Sequence, residues 1–145
     1  MAIPGVPAEG LRTVGQITPT NGLRFRFDQD AASIAADLVR ERVTGAPVVD
    51  EGDRIVGFIS EIDLLRATRA RCDLRQVRAQ DIMTRCPIAI PDTTSLNDAI
   101  DIMDSCHLLN LPIQRDGTVS YSITRHDVLR AAIGFGPGME EFGHG

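Results

Sequence analysis

The chain has 145 residues, 43% of them hydrophobic and 24% charged, with a formal net charge of −5. That is the length and balance of one ordinary globular domain, and the negative sum argues against a general nucleic-acid binder, which needs a basic face. Aromatic residues make up 4% and Trp is absent, so the core is expected to be aliphatic.

In chain order, residues 1–10 read as a loose Pro/Gly-rich arm. Residues 11–16 are expected to lead into the first half, and the turn-rich stretch 18–22 precedes Leu23-Arg24-Phe25-Arg26-Phe27, which alternates at period two as a half-buried strand does. Asp28 or Asp30 can cap a helix in which Ala31, Ile34, Ala35 and Leu38 recur at helical spacing. Residues 46–49 form a short strand whose Pro47 suits an edge or first position, 50–53 a hairpin turn, and 54–59 the return strand. Ser60 then opens a helix running to about Ala70.

Arg66, Arg69, Arg71, Arg75 and Arg78 form a basic run into a linker. Two readings fit it: the solvated C-terminus of a helix, or a positive flank to a phosphate site. All basic residues are Arg and none is Lys, which suits bidentate phosphate contact but also follows from a base-composition bias.

The second half opens at Asp81-Ile82-Met83-Thr84, with a strand at 88–90 and Ser95 capping a helix that carries Leu96, Ala99, Ile100 and Met103 at helical spacing. Pro112-Ile113, the Asp116-Gly117 turn, the strand 118–123 and a helix from Thr124 follow. Glycines from Gly134 onward break the chain into a flexible tail, 134–145.

These halves are copies. Gly57-Phe58-Ile59-Ser60-Glu61-Ile62-Asp63-Leu64-Leu65-Arg66-Ala67 returns as Tyr121-Ser122-Ile123-Thr124-Arg125-His126-Asp127-Val128-Leu129-Arg130-Ala131, and Ala46-Pro47-Val48-Val49 returns as Leu111-Pro112-Ile113-Gln114. Each copy reads strand, hydroxyl, two residues, aspartate, helix. A repeat of this length fixes architecture, and a half of about 60 residues is marginal alone, burying only roughly 60% of its unfolded surface. The halves are expected to fold as a unit.

With both copies laid out, the chain resembles a tandem CBS-domain pair, or Bateman module. The phrases that carry the resemblance are Asp81-Ile82-Met83-Thr84, the Pro47-Val48-Val49-Asp50 and Pro112-Ile113 strands, and the two hydroxyl-x-x-Asp turns. It covers residues 11–133, with the first motif and its linker at 11–78 and the second at 79–133. It implies an α/β (α+β) fold of two β-α-β-β-α motifs packed sheet to sheet, with two clefts that bind adenosine-containing ligands. By position it gives the ribose and phosphate to Ser60 and Asp63 in one half and to Thr124 and Asp127 in the other. The adenine side falls to Gly45, Ala46, Pro47 and Gly57, and to Asn110, Leu111, Pro112 and Tyr121, with Arg125 and His126 as candidate phosphate contacts.

The residue chemistry allows this and also a plainer reading. A carboxylate accepts both hydroxyls of a ribose, and a helix N-terminus favours phosphate. Ser60-x-x-Asp63 and Thr124-x-x-Asp127 are equally capping boxes that satisfy their own helices. Tyr121 stands where the first copy has Gly57, between Ser120 and Ser122; it obstructs the second cleft or packs, or it stacks on a base. Thr18-Pro19 replaces Met-Thr in the first copy. The intact Gly57 and Asp63 rank the Asp63 cleft above the Asp127 cleft.

Other chemistry finds little purchase. His107, His126 and His144 lack metal-ligand spacing, Cys106-His107 has no orienting acid, and no Gly-rich phosphate loop occurs. Cys72, Cys86 and Cys106 are expected to be reduced thiols of a cytoplasmic protein, and no stretch predicts membrane insertion or export. Two functions remain: a non-enzymatic sensor of AMP, ADP, ATP or S-adenosylmethionine, with no required cofactor, that acts on a partner protein; or an interaction module with vestigial clefts. Either is expected to be a homodimer.

Overall fold

The structure, a computed structural model, describes residues 13–85 and 87–134. The expected arm lies outside them, as does the tail beyond Gly134. In the first half β1 (Phe25–Arg26) leads to α1 (Ala31–Glu41), β2 (Gly45–Val49), β3 (Ile55–Ser60) and α2 (Glu61–Arg69), with a short α3 (Ala79–Ile82) and β4 (Thr84–Arg85) after it. The second half repeats the order as β5 (Ile90–Pro91), α4 (Leu96–Ser105), β6 (Asn110–Arg115), β7 (Thr118–Thr124) and α5 (Arg125–Ala132). The strands form two sheets, ordered β1-β2-β3-β4 and β5-β6-β7, and β2 lies against β6 and β7.

Local chemistry explains the boundaries. The Asp30 carboxylate accepts the Ser33 N–H at 2.9 Å and starts α1, whose buried stripe is Ala31, Ile34 and Leu38; Arg42, at φ 57°, ends it in the left-handed region. At the first hairpin Asp50 Oδ1 accepts from the N–H groups of Gly52 and Arg54. At the second, Asp116 and Gly117 both have positive φ (54° and 79°), the combination that a two-residue hairpin turn requires. Both hairpins carry a register shift at the same repeat position, between Val48 and Val49 and between Ile113 and Gln114.

Pro47 lies inside the first sheet rather than at an edge or a strand start. The reason is the brevity of β1, which pairs in parallel only with Val48 and Val49, so at Pro47 the strand is bordered on one side and its missing N–H interrupts no ladder there. Pro112 repeats the arrangement, since β5 reaches only Ile113 and Gln114.

The order in space differs from the order in sequence at both motif starts. Residues 14–16 form a single 3-10 turn that packs on the second half, with Val14 N–H donating to Thr94 O and Gly15 N–H to Asp92 O, and with Val14 and Ile17 buried among Ile90, Leu96 and Met103. The chain then bridges Asn21 to Ser122 on β7 before crossing to β1. In return, the Asp81-Ile82-Met83-Thr84 phrase belongs spatially to the first half. Ala79 sits in the core with Phe25, Ile34 and Ile59, and β4 pairs with β3 before the chain crosses to β5. Each half is completed by a segment that the sequence places ahead of the other, so neither buries its core without its partner.

Candidate functional site

The exchange of segments creates a cleft that neither half makes alone. Its floor is β3, where Phe58 and the N-cap Ser60 face a cavity of about 410 Å³. One wall is the crossing segment, through Thr84, Pro87 and Ile88; the other is the approach to β6, through Leu108, Leu109, Asn110 and Pro112. The volume falls in the range of small-molecule sites, and the lining is mainly apolar with a few polar groups, as such sites are.

At the end of this cleft, α2 begins. Asp63 Oδ2 accepts the Ser60 N–H at 2.9 Å and the Ser60 hydroxyl at 3.0 Å. Its Oδ1 has Arg66 Nη1 at 3.7 Å as its partner, and the side chain is 10% exposed. One carboxylate oxygen thus serves the helix while the other keeps acceptor capacity.

The repeat-related aspartate is used differently. Asp127 is 1% exposed. Its Oδ1 accepts from Thr20 Oγ1 at 2.7 Å and Arg130 Nη2 at 2.8 Å, and its Oδ2 from Thr124 N at 2.9 Å and Thr20 N at 3.3 Å. Four donors saturate it. The hollow on this side, lined by Thr20, Asn21, Gly22 and Leu23 with Glu41 and Val43, holds about 240 Å³. Thr124 Oγ1 accepts the Asp127 N–H as a plain helix cap.

Of the residues named for the adenine side, Asn110 and Pro112 reach the Asp63 cleft, on the other half from Asp63 itself. Gly45, Ala46, Pro47 and Leu111 are buried strand residues, and the Gly45 carbonyl accepts from Asn21 Nδ2 at 2.8 Å. Gly57 is small for a reason other than ligand approach: a Cβ there would overlap Met83 Sδ and stand 3.0 Å from Thr84 O, so the crossing strand occupies its face. Tyr121 pairs with Ile113 and packs on the second core. Arg125 Nε donates to Leu108 O at 2.6 Å, which ties α5 to the approach to β6, and His126 is exposed. Pro87, Ile88, Leu108 and Leu109 were not among the expected site residues, and Ile88, expected in a strand at 88–90, lies ahead of β5; only the crossing of segments between halves could have pointed to them.

Buried amides join the two halves behind the cleft. Asn21 Nδ2 also donates to Asn110 Oδ1 at 3.0 Å, and Asn110 Nδ2 donates to Thr44 Oγ1. Both asparagines are nearly inaccessible, so water competes little for the buried Asn21–Asn110 bond that joins the halves. Among the described residues no cluster of three or more His, Cys, Asp or Glu could hold a metal, and no helix is long and apolar enough to cross a membrane.

The family model for the CBS domain matches this chain twice, over residues 14–70 and 79–134. The chain belongs to the CBS-domain family. As a CBS pair it is 30% identical over 159 residues to the chloroplastic CBS domain-containing protein CBSX2 of Arabidopsis thaliana, covering 88% of this chain and 67% of that protein. CBSX1 of the same plant is 28% identical, with 88% and 66% covered, so the chain spans about two thirds of these relatives. A solved structure of CBSX2 in complex with AMP superposes with a TM-score of 0.72 at 30% identity, covering 84% of this chain and 96% of that one. The CBS pair of protein MJ0100, solved with 5′-methylthioadenosine and S-adenosyl-L-methionine, shares the fold at a TM-score of 0.71 and 21% identity, with 81% and 93% covered.

Proposed function

We propose that this CBS pair is a non-catalytic regulatory module that binds one adenosine-containing ligand per chain in the Asp63 cleft and signals its occupancy to a partner protein. The observation that carries the reading is the contrast between the two aspartates: Asp63 accepts the hydroxyl of Ser60, which lines the 410 Å³ cavity, and meets Arg66 at Oδ1 over a long 3.7 Å, whereas both oxygens of Asp127 are taken by close donors of the fold. The ribose hydroxyls donate to Asp63 Oδ1, and the base lies between Pro87 and Ile88 on one side and Leu109 and Pro112 on the other. The AMP complex of CBSX2 supports an adenosine ligand.

Signalling follows from where the cleft lies. A ligand touching both halves binds most tightly at one relative setting of them, and that differential affinity is what moves an equilibrium. Thr44 and Asn110 line the cavity and also hydrogen-bond across the halves, so occupancy is felt at the Asn21 bridge. Apolar residues left exposed on the helices, Ile62 and Leu65 on α2 and Leu129 on α5, support a homodimer through these faces, whether or not a ligand is bound. Cys72 and Cys106, both free and exposed, suit a reducing compartment such as the cytoplasm.

A thermal-shift panel of adenosine compounds tests the reading. Saturation at 100 times the dissociation constant stabilises by about 2.7 kcal/mol, which raises the midpoint by several degrees. The rise is expected in the wild type and absent in Asp63→Ala, each measured against its own ligand-free midpoint. No rise with any compound leaves the interaction module as the function.

A further inference from the structure

On the reading that this chain pairs with a second copy of itself through its helix faces, we infer that the pairing is head to tail, with the first half of each copy seated on the second half of the other. The inference rests on charge that the two copies of the repeat do not share. In the first half α2 ends in Arg66 and Arg69, and Arg71 follows directly. In the second half α4 carries Asp98, Asp101 and Asp104 and no basic residue. All six side chains are exposed, and among the described residues only Arg66 has an ion-pair partner, Asp63 at 3.7 Å.

The two charged patches border one apolar surface. Spacings of three and four residues place Ile62, Leu65, Arg66 and Arg69 on one face of α2, and Ile100, Asp101 and Asp104 on one face of α4. Ile62 lines the Asp63 cleft together with His107. His107 in turn lines a hollow of about 490 Å³ between α4 and α5, with Ile100, Asp104 and Leu129. The exposed face of α2 therefore runs into the α4–α5 hollow by way of His107, basic on the first half and acidic on the second. Leu65 and Leu129 hold matching positions in the repeat and are both more than half exposed, so each half has an apolar centre for the other to cover. The arginine that lines the hollow, Arg125, is turned to Leu108 O through its Nε and leaves the α4 carboxylates uncompensated.

A two-fold axis can pair this surface in two ways. Like against like covers the leucines but sets the α4 carboxylates of the two copies against each other, and the arginines at the end of α2 against their own counterparts. Opposite halves cover the same leucines and bring Arg69 and Arg71 of each copy to the Asp101–Asp104 ridge of the other. The contact then occurs twice and closes, with neither charged patch left over for a third copy. A foreign partner of one sign satisfies half of such a surface, whereas a second copy satisfies all of it. Because His107 belongs to both cavities, the partner copy also sits beside a wall of the ligand cleft.

Sedimentation equilibrium of the full chain at low salt tests the inference. Arg69→Glu with Arg71→Asp is one variant, and Asp101→Arg with Asp104→Arg is the other. Each turns attraction into repulsion at both contacts and is expected to weaken the dimer about tenfold or more. The chain with all four changes regains the wild-type net charge and is expected to recover the wild-type affinity to within about threefold. The substitutions fall on exposed side chains, and an unaltered urea midpoint shows that each variant is folded. A dimer that neither variant weakens, or that the four changes together fail to restore, overturns the head-to-tail arrangement while leaving the homodimer standing. A wild-type chain that stays monomeric at about 0.1 mM removes the homodimer itself, and leaves the helix faces to a different protein.

Discussion

Thr20 Oγ1 donates to Asp127 Oδ1 at 2.7 Å across 107 residues of sequence. The bond pins the N-terminal crossing segment to the start of α5 and completes a buried cluster with Arg130, whose Nη2 is 2.8 Å from the same oxygen. Removing the carboxylate breaks the buried ion pair with Arg130 and takes the acceptor from Thr20, so Asp127→Ala is expected to cost about 3–5 kcal/mol. Thr20→Val removes one donor and is expected to cost about 1–3 kcal/mol. Urea denaturation checks both; a loss below about 1 kcal/mol in Asp127→Ala would show that the cluster does not hold the N-terminal crossing segment to α5.

Gly57 and Met83 form the second long-range dependence. A methyl group at 57 collides with the Met83 side chain, so Gly57→Ala is expected to destabilise by about 1–3 kcal/mol. Paired with Met83→Ala, its cost should fall well below the sum of the single changes, because the collision has gone. Additive costs would mean that the glycine serves something other than the crossing strand.

Ser122 stands where the first copy has Phe58, and its hydroxyl is buried with no partner among the described residues. Ser122→Ala removes an unsatisfied polar group at nearly constant volume. It is expected to stabilise by about 1 kcal/mol, seen as a higher urea midpoint. A lower midpoint would reveal a partner for that hydroxyl.

The Asp30 carboxyl lies below its ordinary 3.8, chiefly through the Ser33 N–H that it accepts. A depressed folded value means stability that is present above pH 3.8 and lost as pH falls through the folded value. Asp30→Ala should therefore be less stable than the wild type at neutral pH, with the gap closing below pH 3.8. A gap independent of pH would show that the carboxylate charge contributes nothing to the cap.

How much of this was legible depended on range. Caps such as Asp30, Ser95 and Thr124, the Asp116-Gly117 turn and the repeat itself are written within a few residues, because the interacting groups are neighbours in sequence. The family phrases pointed to Ser60 and Asp63 for the same reason. What stayed hidden was the exchange of segments: nothing local in Thr18-Pro19-Thr20 says that Thr20 meets Asp127, or that Pro87 and Ile88 leave strand geometry to line a cleft facing Asn110. The repeat made two equivalent aspartates, and only their distant partners made one structural and left the other available.

Backbone amide chemical shifts followed through an adenosine titration test the central claim most directly, because they report which cleft is filled. The account requires the perturbations to gather on Ser60, Thr84, Ile88, Leu109 and Asn110, saturating at one ligand per chain. Perturbations gathered instead on Thr20, Gly22, Thr124 and Asp127 would contradict it, by placing the ligand beside the aspartate that the fold has already used.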